Sequence, residues 1–358
     1  MSAVVRPRYP PAVLLPDSEF AATSVLTDLQ PREQPALKPA PPLPGTGKAR
    51  VYRMPFKAMA CACEVVLAAD SQTQAQDWAW QAVAEVQRIE AKYSRYRADS
   101  VVSRINAGSG SARVYCDDET LALLQYARTL HQASGGLFDI TAGVLRRAWN
   151  FRQPRVPSAD ELAPLLELID FEALEIDGHH AGLRSCGMEI DFGGFGKEYA
   201  ADRAGALLAE RGARHGYVNL GGDLRVVGAK PDGAPWRIGI QHPRDADGVI
   251  ATLPVERGGL ATSGDYERFF EIDGQRYCHV LNPHTGMPVT MWQSISVLAP
   301  LAVAAGHCTT IAMLMEGDAL AFLDATGVPY LAIDREGRTH LRDAASTQPA
   351  GGEAAHIA

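Results

Sequence analysis

The chain has 358 residues, of which 46% are hydrophobic, so it can bury the core of one large domain or two small ones. The formal net charge is −8 and no run of about 18 apolar residues occurs, so neither a nucleic-acid partner nor a membrane span is expected. The 6 cysteines follow no disulfide or zinc spacing, which favours a reducing compartment.

Both ends of the chain are rich in Pro, Ala or Gly and lack periodicity. We expect residues 1–48 to form a flexible leader, residues 49–343 the folded domain, and residues 344–358 a flexible tail. Pro10, Pro11 and Pro16 interrupt any apolar segment of a secretory signal, which predicts a cytoplasmic protein. The alternative is that the natural start of the protein lies elsewhere.

The first half of the predicted domain alternates strands and helices. Residues 51–67 predict the first strands, where Cys61 and Cys63 face the same side; buried thiols are favoured there over a thiol metal site. Apolar residues at helical spacing predict helices over 76–92 and over 119–134, the second ending at Gly135-Gly136. A shorter helix is predicted over 157–168, beginning near Ser158.

The stretch from residue 188 to 226 combines a predicted strand ending on Asp191, a glycine turn, a helix over 197–211 and a strand over 216–220. Glycine lets a ligand approach the main chain, and a helix start offers free N–H groups to a phosphate. Lys197 in the first helical turn opposes the helix dipole unless an anion lies nearby. An ordinary strand-to-helix turn is the alternative.

The later half reads as strands and hairpins. Asp232-Gly233 predicts a hairpin turn that leads into a returning strand over 236–240. A second hairpin, with strands over 267–272 and 275–281, delivers His279 beside the turn at residues 282–286. Histidine has an unperturbed pKa of about 6.5, which suits proton transfer. A structural histidine bonded to the turn is the alternative.

Five motifs in this order resemble the FAD:protein FMN transferase family (ApbE). They are D-x-G-G-x-x-K-x-Y-A-x-D-x-A from Asp191, V-N-x-G-G-D from Val218, and residues 236–243, 261–266 and 279–286. The resemblance covers roughly residues 51 to 335. It implies an α/β (α+β) fold, with a single two-lobed domain, a mainly antiparallel sheet packed with helices, and an FAD cleft between the lobes.

The resemblance also implies an activity. Such an enzyme cleaves FAD and attaches FMN through a phosphoester to a Ser or Thr of a target protein, releasing AMP. FAD and a target protein are therefore the expected partners. Two alternatives stay open: an FAD-binding relative without transfer that serves as a carrier or interaction protein, and an FAD hydrolase that gives FMN and AMP.

Site residues follow from the same resemblance. His279 and Asp265 are the expected catalytic residues. Contacts with the flavin nucleotide are expected from Met59, Tyr96, Leu137, Phe138, Asp139, Asp191, Lys197 and Val280. For three of these there is a local alternative: Met59 as ordinary core, Tyr96 at a capped helix end, and Asp139 as the cap of a helix beginning near Thr141.

The metal ligands depart from the family pattern A-D-A-x-x-T, which implies Mg²⁺ bound by the Asp, the Thr and a main-chain carbonyl, placed here at Gly194. The preferred register puts Gly306 at the Asp position and Thr310 at the Thr position; the other puts His307 and Ile311 there. Mg²⁺ is still expected, with another divalent metal as the alternative. Asp191 and Asp265 are the candidates for the missing charge. If transfer has been lost, Gly306→Asp should create Mg²⁺-dependent activity.

Overall fold

A computed structural model describes residues 38–39 and 49–343. The strands are β1 (Lys38–Pro39), β2 (Arg50–Ala58), β3 (Cys61–Ala69), β4 (Val114–Tyr115), β5 (Leu174–Asp177), β6 (His180–Leu183), β7 (Gly216–Leu220), β8 (Asp223–Gly228), β9 (Trp236–His242), β10 (Asp245–Val255), β11 (Gly258–Gly264), β12 (Phe269–Ile272), β13 (Gln275–Cys278), β14 (Trp292–Ala299), β15 (Tyr330–Asp334) and β16 (Thr339–Arg342). The helices are α1 (Gln72–Tyr93), α2 (Val101–Ala107), α3 (Asp118–Ala133), α4 (Ala159–Leu166), α5 (Gly196–Glu210), α6 (Ala302–Met315) and α7 (Ala319–Thr326).

A nine-stranded sheet, in the order β1-β2-β3-β7-β8-β11-β14-β15-β16, forms the centre of the molecule. Every neighbouring pair in it is antiparallel. Strand β2 shows why these segments are strands, since its residues mostly alternate between buried and exposed along its length. The prediction of a mainly antiparallel sheet in a mixed α/β fold is confirmed.

Helices cover one face of this sheet. Helix α5 packs between α1 and α6 and against β7 and β8, while α6 lies on β11 and β14. Helix α6 is apolar on nearly all sides, as expected for a helix surrounded by other elements. The large core lies between these helices and the sheet.

Two smaller apolar clusters fix the hairpins. The pair β9–β10 covers the other face of the sheet through Trp236 and Ile238, which pack with Tyr217 and Val226. The pair β12–β13 is held by Phe270, which belongs to a third cluster with Leu145, Ala148, Trp149 and Leu162. That third cluster sets the position of the segment after β13, where His279 lies.

One predicted strand and one predicted strand pairing are wrong. The segment before Asp191 is not a strand but makes a single parallel bridge between Ala142 and Glu189. The Asn106 amide replaces a strand partner there, accepting from Ile190 N at 2.7 Å and donating to Ile190 O at 3.0 Å. The Asp232-Gly233 turn forms, but β9 pairs with β10 and not with the strand before the turn.

Most of the predicted leader and all of the predicted tail lie outside the described residues. Within the leader, Lys38–Pro39 pair with β2 as a two-residue strand. None of the helices in the described ranges is both long and apolar enough to cross a membrane. The cytoplasmic location stays a prediction.

Candidate functional site

The glycine turn brings the start of α5 against the core. The Phe192 carbonyl accepts from Gly196 N at 2.7 Å and from Phe195 N at 3.1 Å. A Cβ at Gly194 would lie 3.0 Å from the Phe138 ring, so a side chain at this position would have to displace that ring. No side chain caps the start of α5 at Phe195. The first-turn amides of this helix therefore suit an anionic ligand.

Lys197 makes an ion pair that the sequence analysis missed. Its Nζ lies 2.7 Å from Asp223 Oδ2, and the Asp223 side chain is only 3% exposed. The other oxygen of Asp223 accepts from Thr262 N at 3.3 Å. Burial alone would lower the pKa of Lys197, but the Asp223 carboxylate outweighs it and raises that pKa above its usual value. Lys197 is thus a fixed cation in this region.

Sheet register explains why these groups meet. Strands β3, β7, β8 and β11 are neighbours, and Leu220 pairs with both Cys63 and Asp223. Leu260 pairs with Leu224, which carries the Thr262-Ser263 end of β11 to the same edge of the sheet. The start of β3, the start of β8 and the end of β11 therefore meet at this edge, where Asp223 pairs with Lys197.

His279 follows β13 and is held by its own main chain, whose N–H donates to Arg268 O at 3.0 Å. Its Nδ1 is buried and has no hydrogen-bond partner among residues 38–39 and 49–343. Burial, followed by the charges of Arg268 and Lys197, lowers the pKa of His279 to about 4. The imidazole is therefore neutral at pH 7 and can accept a proton.

Asp265, the other predicted catalytic residue, is bound by arginines. Arg244 Nη1 and Nη2 donate to its two oxygens at 2.6 and 2.7 Å, and Arg276 adds a contact of 3.4 Å. These guanidinium groups already use the acceptor sites of the carboxylate. Asp265 is therefore less available than His279 for taking a proton.

Two predicted flavin contacts, Tyr96 and Asp191, lie on a turn and a loop. Tyr96 is 76% exposed, and the Arg95 guanidinium lies 5.0 Å from its ring centre. Arg95 also pairs with Asp191, whose Oδ1 accepts from Gly193 N at 3.0 Å. Asp191 is thus occupied by an arginine and is not a free charge. The exposed Tyr96 ring offers a stacking face.

Met59 occupies the tip of the β2–β3 hairpin. Met59 and Ala60 both have left-handed backbone angles, with φ of 50° and 59°. A two-residue turn of this kind normally takes Asn and Gly, so two residues with side chains store strain of roughly 1–3 kcal/mol each. Glu90 stabilises the turn by accepting from Met59 N at 2.6 Å.

The segment with Leu137, Phe138 and Asp139 has a clear local role. Phe138 is buried, with its ring centre 6.2 Å from that of Phe195, and Leu137 packs against the same core. Asp139 Oδ1 accepts from the amide and the hydroxyl of Thr141, at 2.7 and 2.6 Å. Asp139 therefore closes a local turn with Thr141. It does not cap a helix, because the short 3₁₀ helix at Gly143–Arg147 follows Ala142 without a side-chain cap. The Val280 carbonyl accepts from Val289 N at 3.0 Å.

Helix α6 distinguishes the two metal registers. Thr310 Oγ1 lies 3.4 Å from Ser263 Oγ, on the side of the β11 edge. His307 instead points into the core, where Nδ1 lies 2.6 Å from the Tyr126 hydroxyl and 3.1 Å from Val303 O. This geometry favours the register in which Gly306 and Thr310 occupy the two ligand positions.

A cysteine metal site gains no support. The Cys61 and Cys63 sulfur atoms are 3.6 Å apart. Across the described ranges there is no group of three or more His, Cys, Asp or Glu side chains that could hold a metal ion. Any cation here would need hydroxyl, carbonyl or phosphate oxygens as further ligands.

Known sequences resemble this chain over most of its length. The ApbE family matches residues 59–332. The FAD:protein FMN transferase of Vibrio cholerae serotype O1 is 31% identical over 255 residues, which cover 69% of this chain and 76% of that protein. The FAD:protein FMN transferase of Treponema pallidum is 32% identical over 249 residues, covering 64% of this chain and 69% of that protein.

Solved structures agree with the sequence comparison. The ApbE protein of Thermotoga maritima superposes with a TM-score of 0.76 at 31% identity, covering 83% of this chain and 98% of that one. The flavinyl transferase ApbE of Pseudomonas stutzeri, in its apo form, gives a TM-score of 0.72 at 29% identity, covering 82% of this chain and 95% of that one. With the motifs, the antiparallel sheet and the matched residues 59–332 in agreement, the chain belongs to the ApbE family.

Proposed function

We propose that this chain is an FAD:protein FMN transferase, which attaches FMN to a Ser or Thr of a target protein and releases AMP. The convergence of motif residues on Lys197 carries the proposal. Its charge acts on Cys61 at the start of β3, on Asp223 in β8 and on His279 after β13. Relatives of similar length bear the name of this activity.

The reaction breaks the phosphoanhydride bond of FAD and forms a phosphoester bond to the target. The target hydroxyl oxygen attacks the phosphorus on the FMN side of the FAD diphosphate, and the bond from that phosphorus to the bridging oxygen breaks. AMP leaves with the bridging oxygen, while the hydroxyl proton passes to a base. Phosphoryl transfer depends mainly on positioning and on neutralising charge.

Each side chain has a proposed role in this step. Lys197 and the first-turn amides of α5 bind the diphosphate, for which Lys197 is already charged and fixed by Asp223. His279 takes the hydroxyl proton, because its imidazole is neutral at pH 7. Arg244 holds Asp265 as a positioning residue.

The flavin contacts are proposed from the same family motifs. Tyr96 supplies an exposed ring for stacking, and Met59 lies on the strained hairpin tip. Two segments contact the nucleotide: one contains Leu137, Phe138 and Asp139, and the other contains Val280. Asp191 contributes through the turn that it stabilises at Gly193. We place the FAD cleft between two lobes of the domain formed by residues 49–343.

A divalent cation, Mg²⁺ or another, would fit oxygen donors from α6 and from the glycine turn before α5. Thr310 has a hydroxyl at the β11 edge, and Gly194 has a main-chain carbonyl in the glycine turn. Such an ion neutralises charge that develops on the transferring phosphoryl group. Both donors are hard oxygen ligands, as Mg²⁺ requires.

The test is to incubate the protein with FAD, Mg²⁺ and a peptide carrying an acceptor threonine. We expect an FMN adduct on the peptide and an equal amount of AMP. Lys197→Met should lower the rate by about 10²–10³-fold, because a charge that stabilises the transition state is lost. The exposed Lys57→Met serves as control and should leave the rate unchanged.

The same reaction separates the alternatives. FMN and AMP formed equally with and without peptide would identify a hydrolase, and FAD binding without either product would identify a carrier. Either result would overturn the proposal.

A further inference from the structure

Gly306 of α6 lies directly against Glu198 of α5. A Cβ at Gly306 would lie 2.6 Å from Cγ, 2.7 Å from Oε1 and 2.8 Å from Cδ of Glu198. The Glu198 carboxylate therefore fills the volume into which a side chain at position 306 would extend. The two positions are complementary, because the carboxyl group from one helix occupies the space beside the glycine of the other.

Glu198 is buried without full compensation. Glu198 is 6% exposed, and its Oε2 atom is buried with no hydrogen-bond partner in the described part of the chain. The nearby Lys197 ammonium donates to Asp223 instead. Burying a carboxyl group without a partner costs several kcal/mol, roughly 2–7 for a polar group. Some further ligand would offset this cost.

Other carboxylates near the glycine turn are already engaged. Asp191 pairs with Arg95, and Asp265 pairs with Arg244. Asp223 pairs with Lys197. Asp191 and Asp265 were the two candidates for the missing charge. Both are therefore less available than Glu198 to bind a cation.

Helix geometry places Glu198 beside the predicted hydroxyl ligand. Gly306 and Thr310 are four residues apart on α6, so they share one face of the helix. Glu198 lies against Gly306, and Thr310 reaches Ser263 at the adjoining sheet edge. The carboxyl group and the hydroxyl thus adjoin the same face of α6.

We propose that Glu198 is the carboxylate ligand of a divalent-cation site in this chain, in place of the Asp that the ApbE motif has at position 306. The ligand has moved from α6 to α5, and Gly306 makes room for it. Thr310 and the Gly194 carbonyl complete the protein part of the site, and the diphosphate of FAD supplies further oxygens. One carboxylate with substrate phosphates is a normal ligand set for Mg²⁺. The inference rests on the proposed function for the identity of the phosphate ligand.

The test measures metal binding and not turnover. Protein mixed with FAD, without acceptor peptide, is titrated with Mn²⁺ and the bound ion is quantified by electron paramagnetic resonance. Glu198→Gln keeps the shape of the side chain but removes its charge. Removing a group that only hydrogen-bonds to a metal ligand lowers metal affinity by about 10–100-fold. Removing the charge of a direct ligand should therefore weaken Mn²⁺ binding by at least about tenfold. Glu210→Gln, an exposed position on the same helix, should bind as the unmodified protein does.

A swap of the two residues gives the sharper test. Glu198→Gly alone should lose Mn²⁺, and Gly306→Asp alone should be unstable because its side chain collides with Glu198. Together, Glu198→Gly and Gly306→Asp rebuild the family arrangement and should regain most of the Mn²⁺ affinity. The expectation that Gly306→Asp by itself creates Mg²⁺-dependent activity, if transfer has been lost, stays a prediction that the single variant tests.

The inference is overturned if the unmodified protein binds no Mn²⁺ with FAD, or if Glu198→Gln binds it with unchanged affinity. Its failure differs from failure of the proposed function. Unchanged Mn²⁺ binding in Glu198→Gln with intact peptide flavinylation would reject only the ligand assignment. A Glu198-dependent Mn²⁺ site in a protein that never modifies peptide would reject only the transferase.

Discussion

At the scale of a single residue, His279 is the proposed general base. Its imidazole is neutral at pH 7, and its buried Nδ1 lacks a hydrogen-bond partner among the described residues. Replacing it with Asn keeps a polar side chain of similar size but removes the basic nitrogen. We expect His279→Asn to lower the rate of AMP release by about 10²–10⁴-fold.

The same variant should bind FAD within a few-fold of the unmodified protein, as measured by calorimetry, because His279 acts on the proton of the target. His180→Asn, at an exposed position of β6, is the control. Equal loss of FAD binding and of rate in His279→Asn would show that the residue is structural.

His307 predicts how stability depends on pH. Burial is the main cause that lowers its pKa to about 4, although the Val303 carbonyl opposes the shift. In the unfolded chain the pKa is about 6.5, so between these values the unfolded state binds more protons than the folded state. Stability should therefore fall as pH decreases from about 6.5 to 4, by up to about 3 kcal/mol for this residue.

Urea denaturation between pH 7 and pH 4.5 would measure this slope. Glutamine at position 307 does not titrate in this range. The free energy of unfolding of His307→Gln should therefore decline less steeply than that of the unmodified protein, although His279 still contributes. Parallel declines in both proteins would contradict the assignment.

At the scale of elements, the start of α6 is held by α5. Asp202 accepts from Ala302 N at 2.9 Å and from Val303 N at 2.8 Å, in place of a cap from the preceding Leu301. Loss of such a cap costs about 0.5–2 kcal/mol. Because α6 carries Gly306 and Thr310, Asp202→Ala should lower both the free energy of unfolding and the FAD-dependent Mn²⁺ affinity.

Ser71→Ala offers a matched control, since Ser71 caps α1 by accepting from Gln74 N at 3.2 Å. It should lose stability of similar size, measured by urea denaturation, with no change in Mn²⁺ affinity. If both variants bind Mn²⁺ alike, α6 does not depend on Asp202 for its position.

Local sequence patterns predict the helices and strands of this chain better than they predict which strands pair. The strand at Gly216–Leu220 and the helix at Gly196–Glu210 were predicted within a residue, because periodicity and flanking glycines act locally. The Asp232-Gly233 turn was also predicted, but a turn does not decide which strand pairs with which. The segment before Asp191 was wrongly predicted as a strand. The Asn106 amide, which takes the place of a partner strand, is distant in sequence and is invisible to a local pattern.

The candidate site shows the same division. Family motifs predicted Lys197, His279 and Thr310, but they gave no reason to connect Glu198 with Gly306. That connection depends on how α5 packs against α6. A glutamate in the first turn of α5, next to Lys197, was the only signal in the sequence. Its burial could not be read from the local pattern, since a charged residue near a helix start is usually solvated.

For the whole molecule, sheet order is what assembles the site. Strands distant in sequence, β3, β8 and β11, lie within one run of the sheet, and their registers bring Cys61, Asp223 and Ser263 to the same edge. Helices α5 and α6 then cover this edge with Lys197, Glu198 and Thr310. The candidate site therefore depends on the order of these strands and not on any one motif.

Diffraction from crystals soaked with FAD and Mn²⁺, recorded at a wavelength where manganese scatters anomalously, tests the central claim most directly. The account predicts the FAD diphosphate at the first turn of α5 beside Lys197. It also predicts one anomalous peak bounded by Glu198, Thr310 and the Gly194 carbonyl. Flavin bound elsewhere, or a diphosphate at α5 with manganese away from Glu198, would contradict it.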